Sequence, residues 1–390
     1  MITVTEALDA IFDLLAPLGT EDVALTEAAG RTLAGPVTAT RLQPPFAASA
    51  MDGYALKGVE ADPEAMFRVI GESAAGHGFQ GRVGPGECVR IFTGAPMPEG
   101  TDRVIIQEDV DRKGKLITLA RKLDKGPHVR PAGADFAPGD TIPAPRVLTP
   151  ADLALAAAMN APKLTVTRKP VVALLATGDE LVMPGEIPGP DQIIASNGFG
   201  LKALVEAHGG HARLLPIARD NLDSLRTAFE LAADADLIVT IGGASVGDHD
   251  LVGHAAAELG MEQSFYKVLM RPGKPLMAGR LGNTAMIGLP GNPVSSMVCG
   301  HVFLVPALRK MLGLGAAPAP RLTARLTAPV RANGPREHYM RARVESGEIT
   351  IFDQQDSALL SVLSQANALA VRPPSDPERP AGEVLDYLPI

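Results

Sequence analysis

Four short segments hold the residues best suited to chemistry, and each follows a run of apolar residues. Thr177-Gly178-Asp179-Glu180 follows 171–176, and Asp220 follows 212–217. Gly242-Gly243-Ala244-Ser245-Val246-Gly247-Asp248-His249-Asp250 follows 237–241, and Pro290-Gly291-Asn292-Pro293 follows 286–289. The Gly-Gly-Ala-Ser and Pro-Gly-Asn-Pro stretches can present bare backbone N–H groups. The second also opens a helix, whose N-terminal dipole favours an anion. Glu180, Asp220 and Asp250 add carboxylates. A carboxylate repels an anion but holds a hard cation, and Mg²⁺ commonly takes one or two of them together with substrate phosphates. Any one loop alone reads as ordinary turn and cap residues. Together they predict a site for a phosphate compound and a divalent metal. Lys274, within Arg271-Pro272-Gly273-Lys274-Pro275, adds a cation on a flexible stem.

For these loops to meet, the strands before them must lie side by side. Continuous apolar strands alternate with amphipathic helices near 198–207, 222–233, 251–259 and 294–311. That pattern predicts a doubly wound α/β domain with parallel strands buried on both faces. Such sheets bind ligands beyond the carboxyl ends of their strands, where all four loops fall. Upstream, Leu8, Ile11, Phe12 and Leu15 mark a first helix, and Thr149-Pro150 opens a second that runs to about Asn160. Between them, short β-rich runs alternate with Gly/Pro turns, which predicts an inserted β domain. Beyond the linker at 313–321, alternating strands predict a small C-terminal β domain. The resulting division is 1–40 with 143–169 as a helical and linker domain whose two helices pack together, 41–142 as the inserted β domain, 170–316 as the α/β domain, and 317–390 as the C-terminal β domain.

Composition narrows the function. The 390 residues carry 36 Lys and Arg against 44 Asp and Glu, a formal charge of −8, which argues against nucleic-acid or anionic-membrane partners. No apolar run approaches the ~20 residues of a membrane span, and the first residues lack a secretory pattern, so a cytoplasmic location is expected. Cys88 and Cys299, both among apolar residues, read as buried packing residues. Two motifs are decoys. Gly76-His77-Gly78-Phe79-Gln80-Gly81 matches a dinucleotide fingerprint, but Val83-Gly84-Pro85-Gly86 follows where a helix would have to open. Gly243-Ala244-Ser245-Val246-Gly247 matches a hydrolase elbow, yet Asp248-His249-Asp250 intervenes before the helix. His208 and His211 flank a Gly-Gly helix stop and are not expected to ligate metal.

The chain resembles a known family in six motifs taken in order. They are Ser49-Ala50-Met51-Asp52-Gly53-Tyr54-Ala55, Thr93-Gly94-Ala95-Pro96-Met97-Pro98, Ala176-Thr177-Gly178-Asp179-Glu180-Leu181, the loop 242–250, Arg271-Pro272-Gly273-Lys274-Pro275 and 289–295. This order resembles the molybdopterin molybdenumtransferases, the MoeA proteins, which are similar to the E domain of gephyrin. The resemblance implies that adenylylated molybdopterin and molybdate are converted, with Mg²⁺, to molybdenum cofactor and AMP. It also implies an elongated homodimer of four-domain subunits, each active site shared between the α/β domain of one subunit and the β domain of the other. Asp52, Thr93 and Asp135 would be the β domain's contribution. Glu180, Asp220 and Asp250 would be the acidic cluster near Mg²⁺. Gly242, Gly243, Ser245, Gly247, Lys274, Ser295 and the turn Pro290, Gly291, Asn292, Pro293 would serve substrate and oxyanion.

Three positions depart from the family's usual residues: Ala244 for valine, Arg271 for lysine, and Ala134 for glutamate beside Asp135. The competing reading is a molybdopterin adenylyltransferase that consumes ATP. Such an enzyme is otherwise the expected partner that delivers the intermediate. A scaffold role, as in gephyrin, lacks any visible interaction linker.

Overall fold

The structure is a computed structural model that describes residues 1–243 and 251–390. Ser245, Gly247 and Asp250 therefore lie outside the described residues.

Helix α1 (Val4–Asp13) starts at a capping box in which Thr3 and Glu6 satisfy each other's backbone amides. Its apolar stripe, Leu8, Ile11 and Phe12, is buried in one core with Leu304, Leu308 and Met311 of the α/β domain. Helix α2 (Pro150–Ala158) packs elsewhere, on a four-stranded antiparallel sheet built from 20–24, 163–167, 32–33 and 146–147. The two helices expected to pack together thus serve different cores, and the expected helical region contains a sheet. Two-residue strands are too short to show alternation, which is why they escape a reading of periodicity.

The inserted β domain is a six-stranded sheet in the order 103–106, 53–56, 87–91, 66–73, 116–119, 110–113. Tyr54, Leu56, Phe67, Cys88, Ile105 and Ile117 fill its core. Burial pushes the Cys88 thiol up to about 12, so it packs and does not react. Residues 76–81 form a turn closed by paired bonds between Ala74 and His77, with no helix after them.

The α/β domain holds a six-stranded sheet in the order 211–214, 171–176, 237–241, 284–289, 277–281, 261–266. Its first four strands are parallel. The last two are antiparallel additions, a difference from the expected all-parallel sheet. Met261-Glu262-Gln263-Ser264 is largely exposed on this edge, so it carries no apolar run to reveal it. Side-chain alternation buries both faces. Val172, Leu174, Val239 and Ile241 pack toward α1, α3 (Asn197–Ala207) and the long helix near the domain's end, while Ala173, Leu175 and Ile238 pack toward α4 (Leu222–Leu231) and α5 (Leu251–Glu258). The long helix is α6 (Pro293–Cys299), a π turn at Gly300–Leu304 and α7 (Val305–Met311). Pro306 has no amide to offer the Val302 carbonyl, so the regular ladder is interrupted there.

The C-terminal region closes into a barrel. Strands 337–345, 348–351, 322–326, 384–389 and 368–372 follow one another, and 368–372 pairs back onto 337–345. Closure removes free strand edges. Met270–Arg271 pairs with Glu337–His338 and fastens the barrel to the α/β domain, and a short helix, α8 (Leu360–Leu363), lies near the junction. No helix among the described residues is long and apolar enough to cross a membrane.

Candidate active site

A cleft of about 640 Å³ opens at the carboxyl ends of strands 171–176, 237–241 and 284–289. Backbone bonds hold its loops together: Thr177 donates to Ile241, Gly178 to Ala218, and Gly242 to Leu289, each at 3.1 Å. Glu180, Asp220, Gly242 and Gly243 line the cleft, as do Pro290, Gly291, Asn292 and Pro293. Two glycines are required by space and conformation alike. Gly242 has φ +94°, and a Cβ there would lie 2.8 Å from the Thr177 carbonyl oxygen. Gly243 has φ +66°, and its Cβ would lie 2.1 Å from a Val252 methyl. With no side chains on either, the backbone itself forms this part of the wall. Across the cleft, Asn197 Nδ2 donates to the Gly291 carbonyl at 2.7 Å and Ser296 Oγ to the Pro290 carbonyl at 2.9 Å, fixing the turn's shape.

The carboxylates are arranged differently from their neighbours. The Asp179 carboxylate accepts from the Asp220 amide at 3.2 Å, and Arg219 donates to the carbonyls of Asp179 and Leu181 at 3.0 and 3.3 Å. Those bonds tie the two acidic loops together. The side chains of Glu180 and Asp220 make no hydrogen bond or ion pair to a described residue, and both are exposed. Unpaired oxygens from two loops of one cleft are a donor set that fits Mg²⁺ together with phosphate oxygens. Among the described residues no cluster of three or more potential ligands forms, so these two are what the described chain offers a metal. Thr177 also lines the cleft, and its buried hydroxyl has no partner.

Other members of the sequence-derived set lie off this cleft. Ser295 is buried inside α6. Lys274 is exposed on a loop whose next residue, Pro275, does reach the cleft. That loop rests on sulfur: a Cβ at Gly273 (φ +110°) would lie 2.5 Å from Cys299 Sγ. Burial raises the Cys299 thiol far out of the reactive range.

Asp52, Thr93 and Asp135 belong to the inserted β domain. One Asp52 oxygen accepts from the Thr93 amide at 2.7 Å and from the Thr93 hydroxyl at 2.8 Å. Those two bonds, with the Arg90 charge as a lesser contribution, hold its carboxyl below the usual range. Asp135 is exposed on a turn where its amide donates to Gln43, and no bond joins it to Asp52 or Thr93. Among the described residues no hydrogen bond or strand pairing connects 41–142 with 170–390.

Known proteins place this arrangement. Residues 2–160 match the MoeA N-terminal region (domain I and II), 173–310 a probable molybdopterin binding domain, and 323–390 the MoeA C-terminal region (domain IV). Over 96% of its length the chain is 35% identical to a molybdopterin molybdenumtransferase of Nostoc sp., 90% of which is covered. It is 34% identical to molybdopterin molybdenumtransferase 2 of Mycobacterium tuberculosis, over 93% of each chain. The chain belongs to the molybdopterin molybdenumtransferase family. A crystal structure of the molybdopterin biosynthesis moeA protein from Pyrococcus horikoshii OT3 superposes with a TM-score of 0.86 at 26% identity, covering 100% of both chains.

In this member of the molybdenumtransferase family the barrel also reaches the cleft, which the sequence reading missed. Ala358 lines the cleft, Asn292 Nδ2 donates to Ser357 Oγ at 3.1 Å, and Val294 donates to the Ser357 carbonyl at 3.0 Å. At the root of that loop stands Arg341, fully buried, with Nη2 on the Gln354 carbonyl at 3.0 Å. Its Nε and Nη1 have no partner. Burial, then the Asp356 and Arg271 charges, act on it, and the net effect lowers its pKa. A buried guanidinium with two idle donors is costly unless an anion completes it. An isolated arginine in an alternating strand reads as a solvent-facing residue, so no sequence signal singles it out.

Proposed function

We propose that this transferase inserts molybdate into adenylylated molybdopterin, releasing AMP and molybdenum cofactor, with Mg²⁺ held by Glu180 and Asp220. The observation that carries this reading is the division of one cleft into unpaired carboxylates on one side and side-chain-free backbone turns on the other, in a chain that matches the family along all three regions. A site of carboxylates alone would repel both substrates, and a site of donors alone could hold no metal. Mg²⁺, when bound, neutralises charge on the phosphate oxygens of the anhydride that breaks. The chain's own groups do the rest. Gly242, Gly243 and the 290–293 turn supply backbone donors that fix the phosphates. Arg341, with Arg271 and Lys274 beside the barrel junction, supplies cationic N–H groups of the kind a tetrahedral dianion such as molybdate requires. Asp250 belongs with the acidic residues on sequence grounds.

In this reading the active unit is a homodimer, and Asp52, Thr93 and Asp135 complete the partner subunit's cleft. Its support is that Asp52 is rigidly held yet bonded only within its own domain, beside the exposed apolar side chains of Phe46 and Met51. A cytoplasmic location fits two buried thiols with no disulfide. A molybdopterin adenylyltransferase would supply the substrate. The test offers the protein either adenylyl-molybdopterin with molybdate, or molybdopterin with ATP. Molybdate-dependent AMP release is expected from the first mixture, whereas pyrophosphate release from the second would overturn the reading.

A further inference from the structure

A second cavity of about 380 Å³ opens beside the cleft and shares Ser196 and Asn197 with it. Its walls come from the start of α3, the middle of the long helix 293–311, and the barrel's α8 with the C-terminal Ile390. Met297, Leu360 and Leu363 make it apolar, and no Asp, Glu, Lys or Arg lines it. Three of its four polar side chains already have partners. Asn197 reaches Gly291, Ser196 Oγ reaches Asn197 Oδ1 at 3.3 Å, and Ser364 Oγ donates to the Ser361 carbonyl at 3.0 Å. The fourth, His301, makes no hydrogen bond to a described residue. It sits in the π turn Gly300–Leu304, an irregularity that recurs at functional sites. Burial, with a smaller contribution from His208, lowers its pKa to about 4. At neutral pH it is an uncharged ring with one donor and one acceptor.

We propose that this cavity is the nucleobase subsite of the active cleft and receives the adenine ring of the adenylyl group, with His301 bonding the ring's polar edge. The inference rests on the function proposed above and goes further by locating one part of the substrate. A phosphate is excluded from the cavity by the lack of any cation. A pterin presents a 2-amino-4-oxo edge rich in donors, which a carboxylate would best satisfy, and the cavity has none. Adenine asks for less: a flat apolar slot, a thioether such as Met297 against the ring, and one donor–acceptor pair at its edge. Asn197 links the two compartments, since it lines both and holds the Gly291 carbonyl of the phosphate turn.

The experiment titrates the full-length protein calorimetrically with AMP and with ribose 5-phosphate, in the presence of Mg²⁺. The wild type is expected to bind AMP about tenfold or more tightly than ribose 5-phosphate, a difference the ring alone supplies. Leu363→Trp and Ala366→Leu fill the cavity from two sides. Each is expected to weaken AMP about tenfold while changing ribose 5-phosphate by less than about twofold. His301→Phe, which keeps the ring's bulk, weakens AMP alone and serves as the readout if a filling variant melts early. Equal affinity for the two ligands in the wild type, or AMP binding untouched by the variants, overturns the subsite. Neopterin binding that is lost in Leu363→Trp while AMP binding persists overturns it in favour of a pterin pocket. Intact molybdate-dependent AMP release alongside insensitive AMP binding defeats the subsite alone, whereas a wild type that neither binds nor releases AMP defeats the function as well.

Discussion

The α/β cleft and the inserted β domain both present carboxylates, and they treat them in opposite ways. Asp52 is saturated: a backbone amide and a hydroxyl from Thr93 converge on one oxygen and lower its pKa. Glu180 and Asp220 stand at loop ends with no protein partner, although Asp179 and Arg219 beside them are bonded. A carboxylate that is already satisfied acts as a fixed, charged post. One left unsatisfied beside backbone donors is poised for something not supplied by the protein. The contrast separates positioning from metal binding within one proposed site, and it can be broken or sharpened by substitution.

The largest expected effect is on the unpaired side. Glu180→Ala should lower AMP release on the order of 10²–10³-fold, the scale of losing charge stabilisation at a reacting phosphate, without moving the melting temperature. Asp220→Asn should lose activity that raised Mg²⁺ partly restores. A destabilised Glu180→Ala protein would show that the residue has a structural partner after all. Next comes Arg341→Met. Removing a buried, half-satisfied charge should leave the melting temperature unchanged or higher, while the KM for molybdate rises by roughly tenfold to a hundredfold, as expected for a charged hydrogen bond of about 1.5–3 kcal/mol. Gly243→Ala should cost about 1–3 kcal/mol of stability, because its φ is positive and Val252 occupies the space. A variant as stable as the wild type would mean that the turn is not constrained as described.

The smaller effects concern titration. His338 is buried among Arg271, Arg341, Arg336 and Arg372, and burial first, then those charges, lower its pKa to about 4. Between pH 6.5 and about 4 the unfolded chain takes up a proton that the folded chain refuses. Stability should therefore fall as pH falls through that window, by at most about 1.4 kcal/mol per unit for this group, and His338→Gln should flatten the slope in pH-dependent denaturation. The smallest effect is Thr93→Val, which removes one of two bonds to Asp52. Its carboxyl should titrate closer to the usual range in an NMR titration, with the melting temperature unchanged.

The α/β domain was legible because its strands are buried on both faces and its helices are amphipathic, so both periods appear in the sequence. The four loops could be placed at one edge for the same reason. Three features were not legible. The edge strand 261–266 is solvent-exposed and carries no apolar signature. Helix α1 shows which of its faces is apolar, but not which core will receive it, since any apolar face would serve. Arg341 and Ser357 reach the cleft only through barrel closure, which depends on the long-range pairing of 368–372 with 337–345. No local pattern encodes that contact.

The central claim is that one site is assembled from these two regions in different subunits. Asp52→Ala and Glu180→Ala proteins, each inactive alone, are mixed under conditions where labelled subunits demonstrably exchange, and molybdate-dependent AMP release is measured. The account predicts recovery to roughly a quarter of wild-type turnover per site, because half the dimers are mixed and each carries one intact site. Activity that stays at the level of the two parents despite full exchange would contradict it.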